Sequence, residues 1–246
     1  TYAAIDNDDD IDIFIGNLAG HSNPFPYLLI NNGEGSFTID SDSLPSSVTN
    51  NGTGYTTSLF IDANNDGMAD LVLGGDGTST NKIFLNQQGL FSDTSVIDLP
   101  ESTSFNYNIV VDSQTYDFNN DGYQDILFLS TKAFPFYEDN QLQILINDGN
   151  SGFTDETNTY VPNYMHIERW GKYTHIEDIN NDGYDDLFLE DAGTYYLNDG
   201  TGIFSTAGLI SELQYRFAEI ADFDSDGANE ILLSNYDQGF GMFDIM

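Results

Sequence analysis

The sequence of 246 residues contains no cysteine and very few basic residues, and both shortages exclude classes of function. Without cysteine there is no disulfide framework and no thiol nucleophile. Only 5 Lys and Arg residues stand against 41 Asp and Glu residues, which gives a formal net charge of −36. Such a surface repels a nucleic-acid backbone and an anionic membrane, so we expect neither as a partner.

Long apolar runs are also missing. No stretch approaches the roughly 18 apolar residues that a membrane-spanning helix needs, so membrane insertion is not expected. No run of ten or more residues combines helical periodicity with helix caps, which argues against long helices. Hydrophobic residues nevertheless make up 39% of the chain, enough for a packed core. The acidity therefore does not indicate disorder.

An acidic nine-residue segment recurs five times, and each copy runs into an apolar strand. The clearest copy, Asp62 to Asp70, reads DANNDGMAD and is followed by Leu71-Val72-Leu73. A period of 44 to 61 residues suits one four-stranded sheet per repeat, as in a β-propeller. The fifth position is Asp in every copy, at Asp8, Asp66, Asp121, Asp182 and Asp226, with spacings of 58, 55, 61 and 44 residues.

A second signature follows each of the first four acidic segments. It consists of an apolar strand, a turn rich in Gly and Asn, and an aromatic residue that we expect to open the next strand. The four copies lie at 27–37, 82–91, 143–153 and 195–204 and end on Phe37, Phe91, Phe153 and Phe204. Each unit therefore reads strand A, acidic loop, strand B, connector, strand C, turn, strand D.

These patterns predict an all-β fold, a β-propeller of four-stranded blades with five visible repeats. We expect a single domain, 1–246, with repeat units at approximately 1–50, 51–105, 106–165, 166–212 and 213–246. Unit 1 begins with a stub of strand A, and unit 5 stops near the end of strand C. The pattern fits either an irregularly closed ring or a fragment of a longer one.

The acidic segments have the composition of calcium loops. In D-x-[DN]-x-D-G-x-x-D, side chains at positions 1, 3, 5 and 9 offer oxygen, position 7 offers a carbonyl, and Gly at position 6 allows a sharp turn. Oxygen ligands without His or Cys favour calcium over zinc, copper or magnesium. An EF-hand is excluded because position 12, where it needs Glu, is apolar in all five copies. Simple acidic surface turns would not recur in one register.

We predict up to five calcium ions with a structural role, because crowded carboxylates repel one another without a cation. Unit 1 departs from the pattern, with Ala4 at position 1 and Asp9 at position 6, and unit 5 has Glu230 at position 9. The predicted ligands are Asp6, Asp8, Asp10 and Asp12; Asp62, Asn64, Asp66, Met68 and Asp70; Asp117, Asn119, Asp121, Tyr123 and Asp125; Asp178, Asn180, Asp182, Tyr184 and Asp186; and Asp222, Asp224, Asp226, Ala228 and Glu230.

The five loops, the strands behind them and the Asn-Asp-Gly turns resemble the FG-GAP or VCBS repeats of integrin-alpha-type calcium-binding propellers. The resemblance covers nearly all of the chain, although the family norm is seven blades. It implies a secreted or cell-surface protein, since such propellers serve cell adhesion, lectin-like sugar binding and, as accessory parts, polysaccharide breakdown. It also implies that calcium loops lie on one face and that partners bind the connectors on the opposite face.

Three connectors on that opposite face are rich in aromatic residues, which suit sugars or a peptide. One of them holds the only Trp of the chain. The alternative is that Trp170 and the Phe residues pack between blades. The candidate ligand-binding residues are His21, Phe25 and Tyr27; Phe134, Phe136 and Tyr137; and His166, Arg169 and Trp170.

We therefore expect a calcium-stabilised extracellular binding or adhesion module for a carbohydrate or a protein. We do not expect an enzyme, because metal binding accounts for most carboxylate pairs and the three His residues lie at no catalytic spacing. Two alternatives stay open. One is a structural subunit of a surface assembly, through self-assembly or further domains of a longer chain. The other is a polysaccharide-degrading enzyme or its accessory domain.

Overall fold

The computed structural model describes residues 1–16, 26–49, 54–77, 79–102, 108–132, 139–164, 173–190, 193–209, 215–235 and 243–245. Within these ranges the strands form successive antiparallel sheets, each built from consecutive strands. Four sheets have four strands, and the last has three. The predicted all-β fold of propeller-type blades, with the strand order A, B, C, D, is confirmed.

The blades follow one another along the chain. Blade 1 contains β1 (Tyr2–Ala3), β2 (Asp12–Ile15), β3 (Tyr27–Asn31) and β4 (Phe37–Asp40), and the one-turn helix α1 (Ser46–Thr49) follows it. Blade 2 contains β5 (Tyr55–Ile61), β6 (Asp70–Gly75), β7 (Lys82–Phe84) and β8 (Val96–Asp98). Blade 3 contains β9 (Asn108–Tyr116), β10 (Asp125–Lys132), β11 (Asn140–Asn147) and β12 (Phe153–Asp155), followed by α2 (Thr157–Tyr160).

The last two blades complete the array. Blade 4 contains β13 (Thr174–Glu177), β14 (Asp186–Leu189), β15 (Thr194–Asn198) and β16 (Phe204–Leu209). Blade 5 contains β17 (Tyr215–Ala221), β18 (Glu230–Asn235) and β19 (Phe243–Ile245). No helix in the described ranges is long and apolar enough to cross a bilayer.

One predicted strand start is wrong. Phe37, Phe153 and Phe204 open fourth strands as expected, but the fourth strand of blade 2 begins at Val96 rather than Phe91. The Phe91 ring is buried between blades 1 and 2, and its N–H donates to the carbonyl of Ser43 at 2.9 Å. Burial against the preceding blade therefore takes this aromatic residue out of the strand.

The core consists of apolar layers between successive blades. Strand B supplies both sides, because neighbouring residues of a strand point to opposite faces. We call the face of a blade toward the preceding blade its leading face and the face toward the following blade its trailing face. The pairs that meet, trailing to leading, are Phe14 with Leu71, Val72 with Ile126, Leu127 with Leu187, and Phe188 with Ile231.

Polar bonds join the first strands of neighbouring blades. The hydroxyls of Thr57 in β5 and Ser113 in β9 are 2.6 Å apart. Thr174 in β13 donates its N–H and its hydroxyl to one carboxylate oxygen of Asp112, at 2.7 and 2.6 Å. The first strands therefore tie blades 2, 3 and 4 together alongside the apolar layers.

Candidate functional site

The acidic loops wrap their backbone around the carboxylate at position 1. In the second loop, Asp62 accepts the N–H of Asp66 at 3.0 Å and the N–H of Gly67 at 2.8 Å. The third, fourth and fifth loops repeat both bonds within 2.8 to 3.1 Å. A carboxylate at this position therefore shapes the loop as well as offering oxygen.

Two residues of each loop adopt left-handed backbone. Gly at position 6 has φ between 85° and 94° in loops 2 to 5, as its identity predicts. Position 4 is left-handed too, with φ between 56° and 64° in those four loops, and sequence reasoning missed it. The signal was the repeated polar residue there, since Asn tolerates this region better than most residues. The position 4 residues are Asn65, Asn120, Asn181 and Ser225.

The carboxylate at position 9 ties the loop to strand C. Both oxygens of the fully buried Asp70 accept backbone N–H groups, from Ala63 at 2.9 Å and from Asn86 at 2.7 Å. The same pair of bonds recurs at Asp12, Asp125 and Asp186. Desolvation by burial raises the pKa of Asp70 and Asp125 to about 6, although the N–H bonds oppose this rise. In the longer Glu230, one oxygen accepts the N–H of Phe223 at 2.9 Å.

Position 7 is fixed by position 5 in every loop. The N–H of Met68 donates to Asp66 at 2.9 Å. Equivalent bonds of 2.9 to 3.0 Å hold Asp10, Tyr123, Tyr184 and Ala228. The loops therefore bring the predicted side chains at positions 1, 3 and 5 onto one turn with position 7.

The donor set of these loops fits a hard cation. In loop 5 the carboxylate oxygens of Asp222, Asp224 and Asp226 lie within 4.8 Å of one another. In loop 1, Asp6 has a buried oxygen, Oδ1, without a hydrogen-bond partner. Oxygen donors of this number and charge are those that calcium takes in proteins. The residues present could therefore hold calcium.

Loop 1 folds without the position 1 carboxylate. Ala4 offers no side-chain acceptor, yet Asp9 at position 6 has φ of 69°, and Asn7 at position 4 has φ of 70°. Burial, and next the charge of Asp12, raise the pKa of Asp6. The backbone of loop 1 therefore follows the same course, although a non-Gly residue occupies the left-handed position.

Each of the first three loops also touches the C–D turn of the next blade. The Asn86 amide donates to the Ile5 carbonyl at 2.8 Å, and the Ser151 N–H donates to the Ala63 carbonyl at 3.2 Å. A side chain at Gly202 would lie 2.7 Å from the Phe118 carbonyl oxygen. The carbonyl that is contacted belongs to position 2 of the loop in each case. The conformation of each of these loops therefore affects the interface with the next blade.

The opposite face has a cleft of about 280 Å³ between blades 1 and 2. It lies where β2 ends and β5 begins, which are the strand ends away from the acidic loops. Its walls combine aromatic rings with hydroxyl groups, and desolvation raises the pKa of the Tyr55 phenol. The lining residues are Thr1, Phe14, Ile15, Gly16, Tyr55, Thr56, Thr57, Ser58 and Leu73.

Most of the predicted ligand-binding residues lie outside the described residues. Tyr27 is described, and it is half-buried at the start of β3, paired with Ile15. Sequence reasoning did not select Phe14 and Tyr55, because both occur in ordinary strand patterns. The candidates outside the described ranges are His21, Phe25, Phe134, Phe136, Tyr137, His166, Arg169 and Trp170.

Partly buried polar pairs flank this face in blades 3 and 4. Lys132 and Asp139 form an ion pair at 2.7 Å between the end of β10 and the start of β11. His175 lies 3.2 Å from Glu190 at the corresponding end of blade 4. One Glu190 oxygen, Oε1, is buried without a hydrogen-bond partner. The connector ends therefore differ from blade to blade, whereas the acidic loops repeat.

Comparison with known proteins identifies the repeats. The family model of the FG-GAP-like repeat matches residues 5–73, 62–128, 117–189 and 178–233. A search of curated protein sequences gives no match.

Two solved structures are similar to the chain. One is a lectin from Agrocybe aegerita, described for its specific recognition of non-reducing terminal N-acetylglucosamine, with 20% identity and a TM-score of 0.63. The similarity covers 100% of this chain and 64% of the lectin. The other is the V. cholerae biofilm matrix protein Bap1, with 18% identity, a TM-score of 0.47, and coverage of 95% of this chain and 34% of Bap1. The similarity to the lectin structure supports the fold described above.

Proposed function

This chain belongs to the FG-GAP-like repeat family, and on that premise we propose that it is a calcium-stabilised, secreted module that binds carbohydrate. The cleft between blades 1 and 2 carries the proposal, because it lies on the face opposite the acidic loops and combines aromatic and hydroxyl-bearing side chains of two blades. We propose binding rather than catalysis. A scaffold needs identical loops, whereas a specific ligand needs a local departure from the repeat.

The cleft has the chemistry that a sugar ring requires. Tyr55 offers aromatic surface for the C–H groups of a pyranose, Ser58 offers a hydroxyl, and the buried Phe14 forms part of the floor. Its volume of about 280 Å³ is close to the lower end of small-molecule pockets, which suits one or two sugar units rather than a long chain. Burial, together with the charges of Asp93, Asp76 and Asp98, raises the pKa of Tyr55, so the phenol keeps its proton for donation.

Calcium has a supporting role in this proposal. When bound, it neutralises the carboxylates of each loop, which stand at positions 1, 5 and 9 in loops 2 to 4. Asp62, Asn64, Asp66 and Asp70 are the side chains that would hold it in the second loop. Because the first three loops contact the next blade, an ordered loop keeps neighbouring blades, and thus the cleft, in register. An extracellular location fits this need, since calcium is abundant there.

The experiment is a glycan array in millimolar calcium, repeated with a variant that blocks the cleft. Ser58→Leu places an apolar side chain in the cleft, and Ser205→Leu makes the same change on an exposed outer strand. We expect at least one glycan class to bind, with affinity lowered about tenfold or more by Ser58→Leu and unchanged by Ser205→Leu. A flat array, or equal binding by both variants, would contradict the proposal. If the chain binds a protein and no glycan, the ligand is a protein and the carbohydrate proposal is wrong.

A further inference from the structure

The fourth and fifth acidic loops, loops 4 and 5, are joined to each other by hydrogen bonds. The backbone N–H of Asn229 donates to the side-chain oxygen of Asn181 at 2.7 Å, and the Asn229 amide donates to the Asp178 carbonyl at 2.9 Å. A third, longer bond of 3.5 Å runs back from the Asn181 amide to the Asn229 carbonyl. One residue of loop 5 therefore holds loop 4 at two places.

Both ends of this contact lie between predicted calcium ligands. Asn229 is position 8 of loop 5, so the ligands at positions 7 and 9 are its immediate neighbours in the chain. In loop 4, Asp178 is itself position 1, and Asn181 is position 4, flanked by the ligands at positions 3 and 5. Asn181 also has left-handed backbone, with φ of 61°. A shift of the ligands in one loop therefore displaces the groups that hold the ligands of the other.

The position 8 residues of loops 2 to 4 make no equivalent contact within the described ranges. Ala69 in loop 2 has no side-chain donor, and the exposed Gln124 side chain in loop 3 forms no hydrogen bond to loop 2. Asp185 in loop 4 lies beside the phenol of Tyr116, which precedes loop 3. Of the position 8 residues that the structure describes, Asn229 alone bonds to positions 1 and 4 of the preceding loop.

We propose that Asn229 is a positioning residue that couples calcium binding in loops 4 and 5, so that an ion in either loop raises the affinity of the other. The inference rests on the calcium binding proposed above. An ion that enters a loop must order the backbone around it, which costs conformational entropy. When the neighbouring loop is already ordered, Asn229 and its acceptors are in place, and less of the second loop remains to be ordered.

The ligand sets predict the order in which the two loops fill. Loop 5 offers four carboxylates, whereas loop 4 offers three and the amide of Asn180. A larger number of charged ligands raises calcium affinity. The carboxylates are Asp222, Asp224, Asp226 and Glu230 in loop 5, and Asp178, Asp182 and Asp186 in loop 4. We therefore expect loop 5 to bind first and to prepare loop 4.

Electrostatic repulsion acts in the opposite direction. An ion in one loop makes the potential at the other loop less negative, which lowers calcium affinity there. Salt at about 0.15 M screens this repulsion between exposed groups but leaves the hydrogen bonds of Asn229 in place. Under those conditions we expect the coupling through Asn229 to exceed the repulsion. Removing the contact should leave only the repulsion.

The test is a calcium titration followed by NMR in about 0.15 M salt. The N–H groups of Gly183 and Gly227 donate to the position 1 carboxylates of loops 4 and 5, at 2.8 and 2.9 Å, so each signal reports one loop and Gly227 should respond first. Asp222→Ala removes position 1 of loop 5, and Asp62→Ala makes the same change in loop 2, two blades from loop 4. Loop 1 has Ala4 at this position and follows the same backbone course, so both variants should fold.

Loop 4 should lose calcium affinity about fivefold or more when Asp222→Ala empties loop 5, and should keep it when Asp62→Ala empties loop 2. The untied variant, Asn181→Gly with Asn229→Ala, removes both ends of the contact. In this variant, emptying loop 5 should not lower the affinity of loop 4. A residue with a merely structural role would instead lower that affinity equally whether or not loop 5 can bind calcium.

Both changes in the untied variant are compatible with the repeat, because Gly tolerates left-handed backbone and loop 2 has Ala69 at position 8. The matched control, Asn120→Gly with Gln124→Ala, makes the same changes at positions 4 and 8 of loop 3 and should leave the coupling intact. A loss that persists in the untied variant, or a loop 4 affinity that does not respond to Asp222→Ala, would overturn the proposal while the loops still bind calcium. If neither glycine signal responds to calcium, the calcium assignment is wrong as well.

Discussion

Asp125 accepts the backbone N–H of Asn147 at 2.8 Å, which joins the last residue of the third acidic loop to the end of the neighbouring strand. Its other oxygen accepts the N–H of Phe118 at 2.8 Å. Both bonds are buried, so water does not replace Asp125 as the acceptor for these backbone N–H groups. The carboxylate at position 9 is therefore a structural tie, whatever it contributes to a cation.

This double role predicts a loss of stability that persists without calcium. Asp125→Ala leaves two buried N–H groups unsatisfied, at about 1–3 kcal/mol each, so we expect the free energy of unfolding to fall by about 2–6 kcal/mol in excess chelator. Asp121→Ala, in the exposed part of the same loop, should cost less than about 1 kcal/mol under those conditions. Urea denaturation measures both values. Equal losses would show that position 9 acts only through the cation.

The left-handed backbone of Asp9 predicts a stabilising substitution. Asp9 has φ of 69° where the other loops have Gly, so Asp9→Gly removes a strain of about 1 kcal/mol. We expect the melting temperature to rise by about 2–4 °C. Gly67→Asp, the reverse change at φ of 85°, should lower it. Thermal melts in chelator test the pair, and a lower melting temperature for Asp9→Gly would contradict the strain.

The bond between blades 3 and 4 predicts energetic coupling. Asp112 accepts two hydrogen bonds from Thr174, so Asp112→Ala and Thr174→Val should each destabilise the chain, with a coupling energy of about 0.5–3 kcal/mol in a double-mutant cycle. Asp112→Ala combined with Thr38→Val, which lies two blades away, is the additive control. Additivity of the first pair would show that the bond contributes nothing to the interface.

The fold was largely predictable because the repeated segments carry their own chemistry. The spacing of Asp66, Asp121 and their equivalents predicted the length of one blade. The identity of Gly67 predicted a sharp turn, and in the structure Gly67 has φ of 85°. Phe91 was misassigned because its ring packs between blades, and no local pattern reports such packing. The sequence shows which residue follows a turn, but not which neighbouring blade buries it.

The ligand face was much less predictable for the same reason. The acidic loops are local, whereas the cleft joins Phe14 of blade 1 to Tyr55 of blade 2, residues brought together by the interface between blades. Sequence reasoning selected the unusual composition around Trp170. Of its ligand-binding candidates, only Tyr27 lies among the residues that the structure describes.

The most direct test of the account is a thermal melt in excess chelator, followed by return of calcium or magnesium. At a calcium concentration 100 times its Kd, a single site raises the free energy of unfolding by about 2.7 kcal/mol. In a chain of this size that raises the melting temperature by about 5–10 °C, and several sites raise it further. We expect the melting temperature to fall by at least that amount in chelator and to recover with calcium but not with equimolar magnesium. An unchanged melt in chelator would contradict the assignment of the five acidic loops as structural calcium sites.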